Sequence, residues 1–197
     1  MIFSMKKILV TGGSGFIGSN FILSQIRDSS NFIINYDKLT YAGKNNNLID
    51  INNNEKYKFI KGDICDKDKF INTLNEYTPD FIVNFAAESH VDRSIEYPDS
   101  FINSNIIGTF NLLTATRAYL DNSSNDQFKF IHISTDEVFG SLGNSGFFIE
   151  NSPYAPTSPY SASKASSDHL ARSWYHTYNF PVIISNCSNN YGPYQFP

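Results

Sequence analysis

Short apolar runs rich in Ile, Val and Phe recur along the chain, separated by longer stretches in which apolar positions return every three or four residues. The runs Ile8 to Val10, Phe32 to Tyr36, Lys58 to Ile60, Phe81 to Phe85, Phe130 to Ser134 and Val182 to Ser185 predict buried strands. A strand covered on both faces has no polar side with which to alternate. The intervening spacing predicts helices over Gly15 to Arg27, Asp66 to Glu76, Ser100 to Leu120 and Tyr160 to Tyr178, with a weaker one near Asn45 to Asn52. Strict alternation of strand and helix implies right-handed βαβ crossovers. The expected fold class is therefore α/β, a doubly wound parallel sheet of the Rossmann type.

Two stretches interrupt the alternation. Glu88 to Asp99 follows the fourth strand, and Asp136 to Pro159, rich in Gly and Pro, follows the fifth. Loops at the carboxyl ends of strands are where open α/β sheets bind ligands, so the chemistry is expected there.

Composition narrows the picture. The 197 residues suit one sizeable domain, and 41% hydrophobic with 15% aromatic residues supply an ample core. Fifteen basic against 19 acidic residues leave a net charge of -4. No Lys/Arg run is present to neutralise a row of phosphates, which argues against nucleic acid as a partner. Cys65 and Cys187 are the only cysteines, too few for a disulfide framework or metal cluster, and are expected to be reduced core thiols. The MIFSMKK start leads into ILVTGGSG without a cleavage site, and no apolar run approaches the roughly 18 to 20 residues of a membrane span. A soluble cytoplasmic protein is expected. The asparagine clusters at 45–47 and 52–54 read as a polar surface loop.

Directly after the first strand stands Thr11-Gly12-Gly13-Ser14-Gly15-Phe16-Ile17-Gly18, with glycines spaced G-x-x-G-x-x-G. Such a turn lets backbone approach a pyrophosphate, whose charge is favoured by the free N–H groups and dipole of a helix N-terminus. Alone it is an ordinary strand-to-helix turn. Its place in the first βαβ unit and the acidic end of the second strand, Asp37, nineteen residues after Gly18, point to a bound dinucleotide. A carboxylate there accepts ribose hydroxyls and repels a 2'-phosphate, selecting NAD over NADP. Lys38, which follows it, works weakly in the opposite sense. Asp63, before Ile64, is placed either to meet the adenine amino group or to act as a helix cap or turn residue.

Tyr160 and Lys164 open a predicted helix four residues apart, which stacks both side chains on one face. A free tyrosine has a pKa of roughly 10, so a neighbouring ammonium would allow it to act as a base toward an alcohol near neutral pH. The spacing is common by chance. Here Ser134-Thr135-Asp136-Glu137 ends the fifth strand, bringing a hydroxyl and two adjacent carboxyls to the same rim. Thr135 is suited to hydrogen-bond a reacting hydroxyl. Environments that separate two carboxyl pKa values would make one an acid and the other a base. Adjacent carboxyls are also common in solvated turns, but these precede Val138 and Phe139, which are suited to exclude water.

The segments TGGSGFIGSN, YDKLTYAG, GDICD, NFAAESHVDRSI, HISTDEVFG, YSASKASSDHL and NCSNNYGPYQFP span nearly the whole chain. On them the chain resembles the extended short-chain dehydrogenase/reductases and, among these, the nucleotide-sugar 4,6-dehydratases. The resemblance implies NAD as cofactor and a nucleotide sugar, dTDP-glucose, as substrate. It also implies oxidation at C4, elimination of water across C5 and C6, and reduction at C6. Tyr160 would deprotonate the 4-hydroxyl, with Lys164 lowering its pKa and binding the nicotinamide ribose. Glu137 would remove the C5 proton while Asp136 protonates the departing 6-hydroxyl. Phe16, Ile17, Asp37, Lys38, Leu39, Thr40, Asp63, Ile64, Ala86, Ala87, Ser104 and Asn190 would line the NAD site, and Ser89, Thr135 and Asn189 would face the sugar. Position 104 more often carries Thr in such dehydratases, and Ser104 keeps the hydroxyl. Ala86 and Ala87 also fit a purely structural role in close packing. His90, Asp92 and Arg93 read equally as a polar network holding their loop. A homodimer, formed through the long helices, is implied as well.

Members of this group continue past GPYQFP into a smaller C-terminal domain that grips the nucleotide and closes the sugar pocket. Residues 1–197 would then be the NAD-binding domain, and a fragment or a truncated product is the expectation. Two other readings stay open: a 4-epimerase or decarboxylase of the same superfamily, needing Tyr160 and Lys164 but no acid pair, and a non-catalytic cofactor-binding module.

Overall fold

The structure is a computed structural model that describes residues 5–123 and 125–195. Residues 1–4 of the MIFSMKK start and residues 196 and 197 of GPYQFP lie outside the described residues. Six strands, β1 (Lys7–Thr11), β2 (Phe32–Asp37), β3 (Tyr57–Lys61), β4 (Phe81–Asn84), β5 (Lys129–Thr135) and β6 (Val182–Cys187), form one sheet in the order β3-β2-β1-β4-β5-β6. Every pairing is parallel. The chain winds outward from β1 through β2 to β3, then returns to β4 on the other side of β1. This reversal opens a crevice at the carboxyl ends of β1 and β4, the place where such sheets hold ligands.

Alternating side chains divide the core between the two faces of the sheet. Leu9, Ile34, Tyr36, Ile82 and Phe130 pack with Phe70, Leu74, Leu112 and Leu113 from the helices α2 (Lys67–Tyr77) and α5 (Thr109–Leu120). On the opposite face Ile8, Val10, Ile33 and Val83 meet Ile22 of α1 (Phe16–Asp28) and Leu48 of a 3-10 turn, Asn45–Ile51. Each strand predicted from its apolar run is present within a few residues of its expected bounds. The doubly wound architecture therefore follows from the burial of both faces.

Three features depart from the expectations. The stretch 88–99 is not wholly irregular: α3 (Val91–Glu96) forms there, followed by α4 (Pro98–Phe101). Only Ser94 of α3 is buried, so the sequence carries almost no apolar period to announce it. The single helix expected over Ser100 to Leu120 is instead α4, a π-helical segment Ile102–Gly108, and α5. Asn105 lies buried inside that segment. Finally, both cysteines are free, but Cys65 is exposed and Cys187 half-buried, so neither is a core thiol. Cys65 follows the turn after β3, and its Sγ donates to the Asn103 carbonyl at 3.3 Å.

Helix α6 (Pro159–Tyr178) is the longest of the helices. Its start is closed by a capping box in which the Ser158 and Ser161 side chains answer each other's backbone, with Pro159 in the first turn. Its end is set by Asn179 in the left-handed conformation, φ 51°. A firmly capped helix is a rigid mount for side chains near its N-terminus.

Among the described residues, no helix is long and apolar enough to cross a membrane, and no group of His, Cys, Asp or Glu is arranged to hold a metal ion.

Candidate active site

The glycine-rich turn joins β1 to α1 at the crevice. Gly12 has φ +69°, and a Cβ placed on it would stand 2.6 Å from the Ala86 backbone nitrogen. The turn thus lies against the end of β4 with no room for a side chain. A Cβ on Gly18 would press into the backbone of Gly12 and Gly13, which lets the first turn of α1 close onto the loop. Gly15 differs: a Cβ there would meet only the Gly12 carbonyl oxygen, at 3.4 Å, so its α-carbon faces open space. Gly15 is also the N-cap of α1 and provides no side-chain acceptor for the first-turn N–H groups. An open glycine cradle at an uncapped helix N-terminus fits a diphosphate in size and sign.

Asp37 ends β2 and is buried. Its Oδ2 accepts from the Ser14 N–H at 2.9 Å and its Oδ1 from the Leu39 N–H at 2.7 Å. Burial pushes its pKa up, and these two hydrogen bonds work against that shift. Each carboxylate oxygen retains a second lone pair for a ribose hydroxyl. Leu39 itself takes φ 61°, turning the chain so that Thr40, Ala42 and Gly43 bound this corner. Lys38 Nζ lies 2.6 Å from Asp63 Oδ2 across the gap between β2 and β3. Asp63 also accepts from the Cys65 N–H at 2.9 Å, whereas the cap of α2 is Asp66, accepting from the Lys69 N–H. Asp63 is thus a turn residue and an ion-pair partner, and the helix cap falls three residues later.

The loop after β4 is fixed by a residue that spacing did not single out. Asn105 Oδ1 accepts from the Glu88 N–H at 2.8 Å, while its Nδ2 donates to the Glu88 carbonyl and to Ser163 Oγ, both at 2.9 Å. One buried amide therefore ties the loop, the π-helical segment and α6 together. Farther out, the Arg93 guanidinium lies 4.0 Å from the centre of the Tyr41 ring, and Tyr41 Oη donates to Glu88 Oε2 at 3.2 Å. The His90 ring stands 5.9 Å from that of Tyr41. These contacts join the loop after β4 to the one after β2.

Thr135 ends β5 and caps the short 3-10 helix Asp136–Phe139, its Oγ1 accepting from the Glu137 N–H at 3.2 Å. Burial, and after it the charge of Asp136, raises the Glu137 pKa. The Tyr160 phenol is pushed up to about 12, first by burial and then by the charge of Glu137, with the Thr135 hydroxyl acting in the opposite direction. Both acidic side chains thus lie close enough to act on the phenol. Lys164 is buried, which lowers its pKa to about 8, and its Nζ donates to the Ile133 carbonyl at 2.7 Å.

Behind this rim runs a buried polar chain. Thr11 Oγ1 donates to Asn84 Oδ1 at 2.6 Å, and Asn84 Nδ2 faces His132 Nδ1 at 3.1 Å. The amide donates to Nδ1, so the proton of a neutral imidazole sits on Nε2, 3.1 Å from Ser167 Oγ and 3.3 Å from Asp168 Oδ1. Burial, then the charge of Lys164, holds His132 below its ordinary pKa. Asp168 Oδ2 accepts from Ser134 Oγ, Tyr154 Oη and Asn186 Nδ2 at 2.8, 2.9 and 3.2 Å. Burial opposes the Asp168 charge, but the neighbouring His132 ring and the charge of Lys164 hold its pKa down. Asp168 thereby fastens α6 to β5 and β6 one turn beyond Lys164.

A cavity of about 350 Å³ occupies the crevice. Its wall brings together Gly12, Gly15, Phe16, Ile17 and Gly18 from the turn and Asp37, Lys38, Thr40, Asp63 and Ile64 from the ribose corner. Ala86, Ala87, Ser89, Ser104, Tyr160 and Lys164 complete the predicted part of the wall. Leu39, Thr135, Asp136 and Glu137 flank the cavity without forming its wall, and Asn189 and Asn190 are exposed outside it. Tyr194 and Gln195 line it although neither was expected to. Asn20 Nδ2 donates to the Pro193 carbonyl at 2.8 Å, which holds that last segment over α1.

A family model described as GDP-mannose 4,6 dehydratase matches residues 9–197. The chain belongs to this family. Among curated members of similar sequence, the dTDP-glucose 4,6-dehydratase of Neisseria meningitidis serogroup B is 54% identical over 197 residues, covering 98% of this chain and 56% of that protein. Of solved structures, the dTDP-glucose 4,6-dehydratase from Bacillus anthracis in complex with NAD aligns with a TM-score of 0.86 at 46% identity, over 98% of this chain and 57% of the other. The dTDP-glucose 4,6-dehydratase from Streptomyces venezuelae, also with NAD bound, aligns with a TM-score of 0.89 at 43% identity, over 97% and 58% respectively. The chain therefore spans little more than half the length of the family members it matches.

Proposed function

We propose that this chain is the NAD-binding part of a nucleotide-sugar 4,6-dehydratase that converts dTDP-glucose to its 4-keto-6-deoxy product. The reading is supported by the Asp136-Glu137 pair that follows β5, whose charges act on the Tyr160 phenol lining the cavity at the carboxyl end of the sheet. The similarity to dehydratases crystallised with NAD supports the choice of cofactor and reaction. Residues 1–197 constitute the dinucleotide domain, and a smaller domain that closes the sugar pocket is expected to complete the enzyme.

The Gly12 to Gly18 turn receives the diphosphate, Asp37 the adenosine ribose hydroxyls, and Tyr160 with Lys164 the nicotinamide end. NAD, when bound, supplies a hydride acceptor for C4 and a hydride donor for C6. With its pKa pushed up to about 12 and Lys164 turned to the Ile133 carbonyl, the Tyr160 phenol is protonated in this arrangement, so its role as base toward the 4-hydroxyl requires the Lys164 ammonium to turn to the phenol and stabilise the phenolate. Thr135 orients that hydroxyl. Glu137 removes the C5 proton made acidic by the adjacent ketone. Asp136 gives its proton to the departing 6-hydroxyl. Ser89 and Asn189 are assigned to the sugar side and Asn190 to the cofactor side. As Asn189 and Asn190 are exposed, their roles require the segment after β6 to move inward.

Incubation of the complete enzyme, of which this chain is the proposed NAD-binding part, with NAD and dTDP-glucose, with the products resolved by NMR, tests the reading. Formation of the 4-keto-6-deoxy sugar is expected. Asp136→Asn combined with Glu137→Gln is expected to abolish elimination while the nucleotide still binds, and unchanged elimination in that variant would sink the assigned roles.

A cytoplasmic homodimer completes the proposal. The two free thiols suit a reducing compartment. The exposed Ile102, Ile107 and Phe110, with Tyr175 and Tyr178 on α6, offer an apolar face for a second copy. Sedimentation as a monomer only would count against it.

A further inference from the structure

The corner where β2 ends holds two carboxylates of different use. Asp37 has its oxygens on the Ser14 and Leu39 N–H groups and faces the cavity as the ribose acceptor. Asp63 comes from the end of the neighbouring strand β3 and also lines the cavity, yet its Oδ2 is taken by Lys38 Nζ at 2.6 Å. Lys38 directly follows Asp37 and is itself part of the wall. A cation at that place is what a 2'-phosphate on the ribose would attract.

The pair contributes little to folding. Lys38 is more than half exposed, and exposed ion pairs add little to stability. The α2 cap is supplied by Asp66 rather than Asp63. The hydrogen bond from the Cys65 N–H to Asp63 needs only an acceptor oxygen, which an amide also provides. What the Asp63 charge does specifically is neutralise Lys38 beside the ribose corner, and the charge of Glu88 acts on Lys38 in the same sense.

We infer that Asp63 is a coenzyme-specificity residue: by holding Lys38 in an ion pair it withholds from a 2'-phosphate the cation that would bind it, and so reinforces the selection of NAD over NADP by Asp37. The inference rests on the reading of this cavity as an NAD site. Asp63→Asn keeps the turn, removes one negative charge from the corner and releases the Lys38 ammonium. Lys38 is then free to meet the phosphate.

Calorimetric titration of the chain with NAD and with NADP is the test, applied to the wild type, Asp63→Asn, and Asp63→Asn with Lys38→Met. The wild type is expected to bind NAD well and NADP poorly. Asp63→Asn is expected to raise the NADP:NAD affinity ratio about tenfold through a gain in NADP binding, and the gain should shrink as salt is added. The double variant is expected to lose most of that gain. A ratio unchanged in Asp63→Asn, or a gain that survives loss of Lys38, would overturn the inference while leaving the NAD site intact. Failure of the wild type to bind either dinucleotide would overturn the NAD site itself, and the inference with it.

Discussion

Tyr160 and Lys164 stand one turn apart on α6, but the lysine ammonium donates to the Ile133 carbonyl at 2.7 Å rather than to the phenol. Burial lowers the Lys164 pKa from 10.5 to about 8. An unfolded chain holds that proton up to roughly pH 10.4, whereas the folded chain releases it near pH 8. Over this window the unfolded state binds more protons, so stability should rise with pH on account of this group. Urea denaturation of wild type and Lys164→Met across pH 7 to 10 checks the sign. The wild type should gain stability relative to the variant as pH rises, and a constant difference would contradict the assignment.

The three glycines of the motif should separate under substitution. Gly12→Ala sets a methyl 2.6 Å from the Ala86 nitrogen at φ +69°, and a loss of about 2 kcal/mol or more in stability is expected. Gly18→Ala presses on the same loop and should behave alike. At Gly15 the methyl meets only the Gly12 carbonyl oxygen, at 3.4 Å, so stability should change by no more than about 1 kcal/mol. The methyl would nevertheless project into the diphosphate cradle. Thermal melting together with NAD titration distinguishes the cases, and Gly15→Ala with both properties unchanged would remove this glycine from the site.

The features legible in the sequence are those written in local spacing. Buried strands show as apolar runs, and the glycine turn, Asp37, and Tyr160 with Lys164 are each defined by a few neighbouring residues. Contacts made between strands leave no such trace. The Lys38 to Asp63 pair joins β2 to β3, Asn105 reaches back to Glu88, and Asp168 gathers donors from β5, β6 and the loop before α6. Helix α3 was illegible because it buries so little. Asn189 and Asn190 were assigned by resemblance rather than by local physics, and the structure leaves them exposed while Tyr194 and Gln195 line the cavity.

Asn105 offers a test of what fixes the loop after β4. Replacement by Ala removes three hydrogen bonds and leaves the Glu88 N–H and carbonyl without the partner that holds them. The two bonds to Glu88 are only partly buried, so water can replace the lost partner there and a loss of about 2 kcal/mol is expected. Hydrogen exchange at the Glu88 amide should accelerate in the variant more than exchange in β1 does. Equal protection of that amide in both proteins would show that the loop is held by something else.

His132 predicts the acid limb of stability. Its imidazole is buried and neutral, with Nδ1 accepting from Asn84 and a pKa held below 6.5 by burial and by Lys164. As pH falls below about 6.5 the unfolded chain takes up a proton that the folded chain refuses, so stability is present above that pH and is lost on acidification. Asp168, whose folded pKa is held low, adds a loss only at lower pH, below its ordinary 3.8. His132→Asn keeps an acceptor oxygen for the Asn84 amide and removes the titrating ring. At pH 7 it should cost about 2 kcal/mol for lost packing and hydrogen bonding, with the deficit narrowing between pH 6.5 and 5. Parallel stability curves for wild type and variant over that range would mean that the folded protein takes up the His132 proton as readily as the unfolded chain does, and the Asn84 hydrogen bond would then have to be reversed.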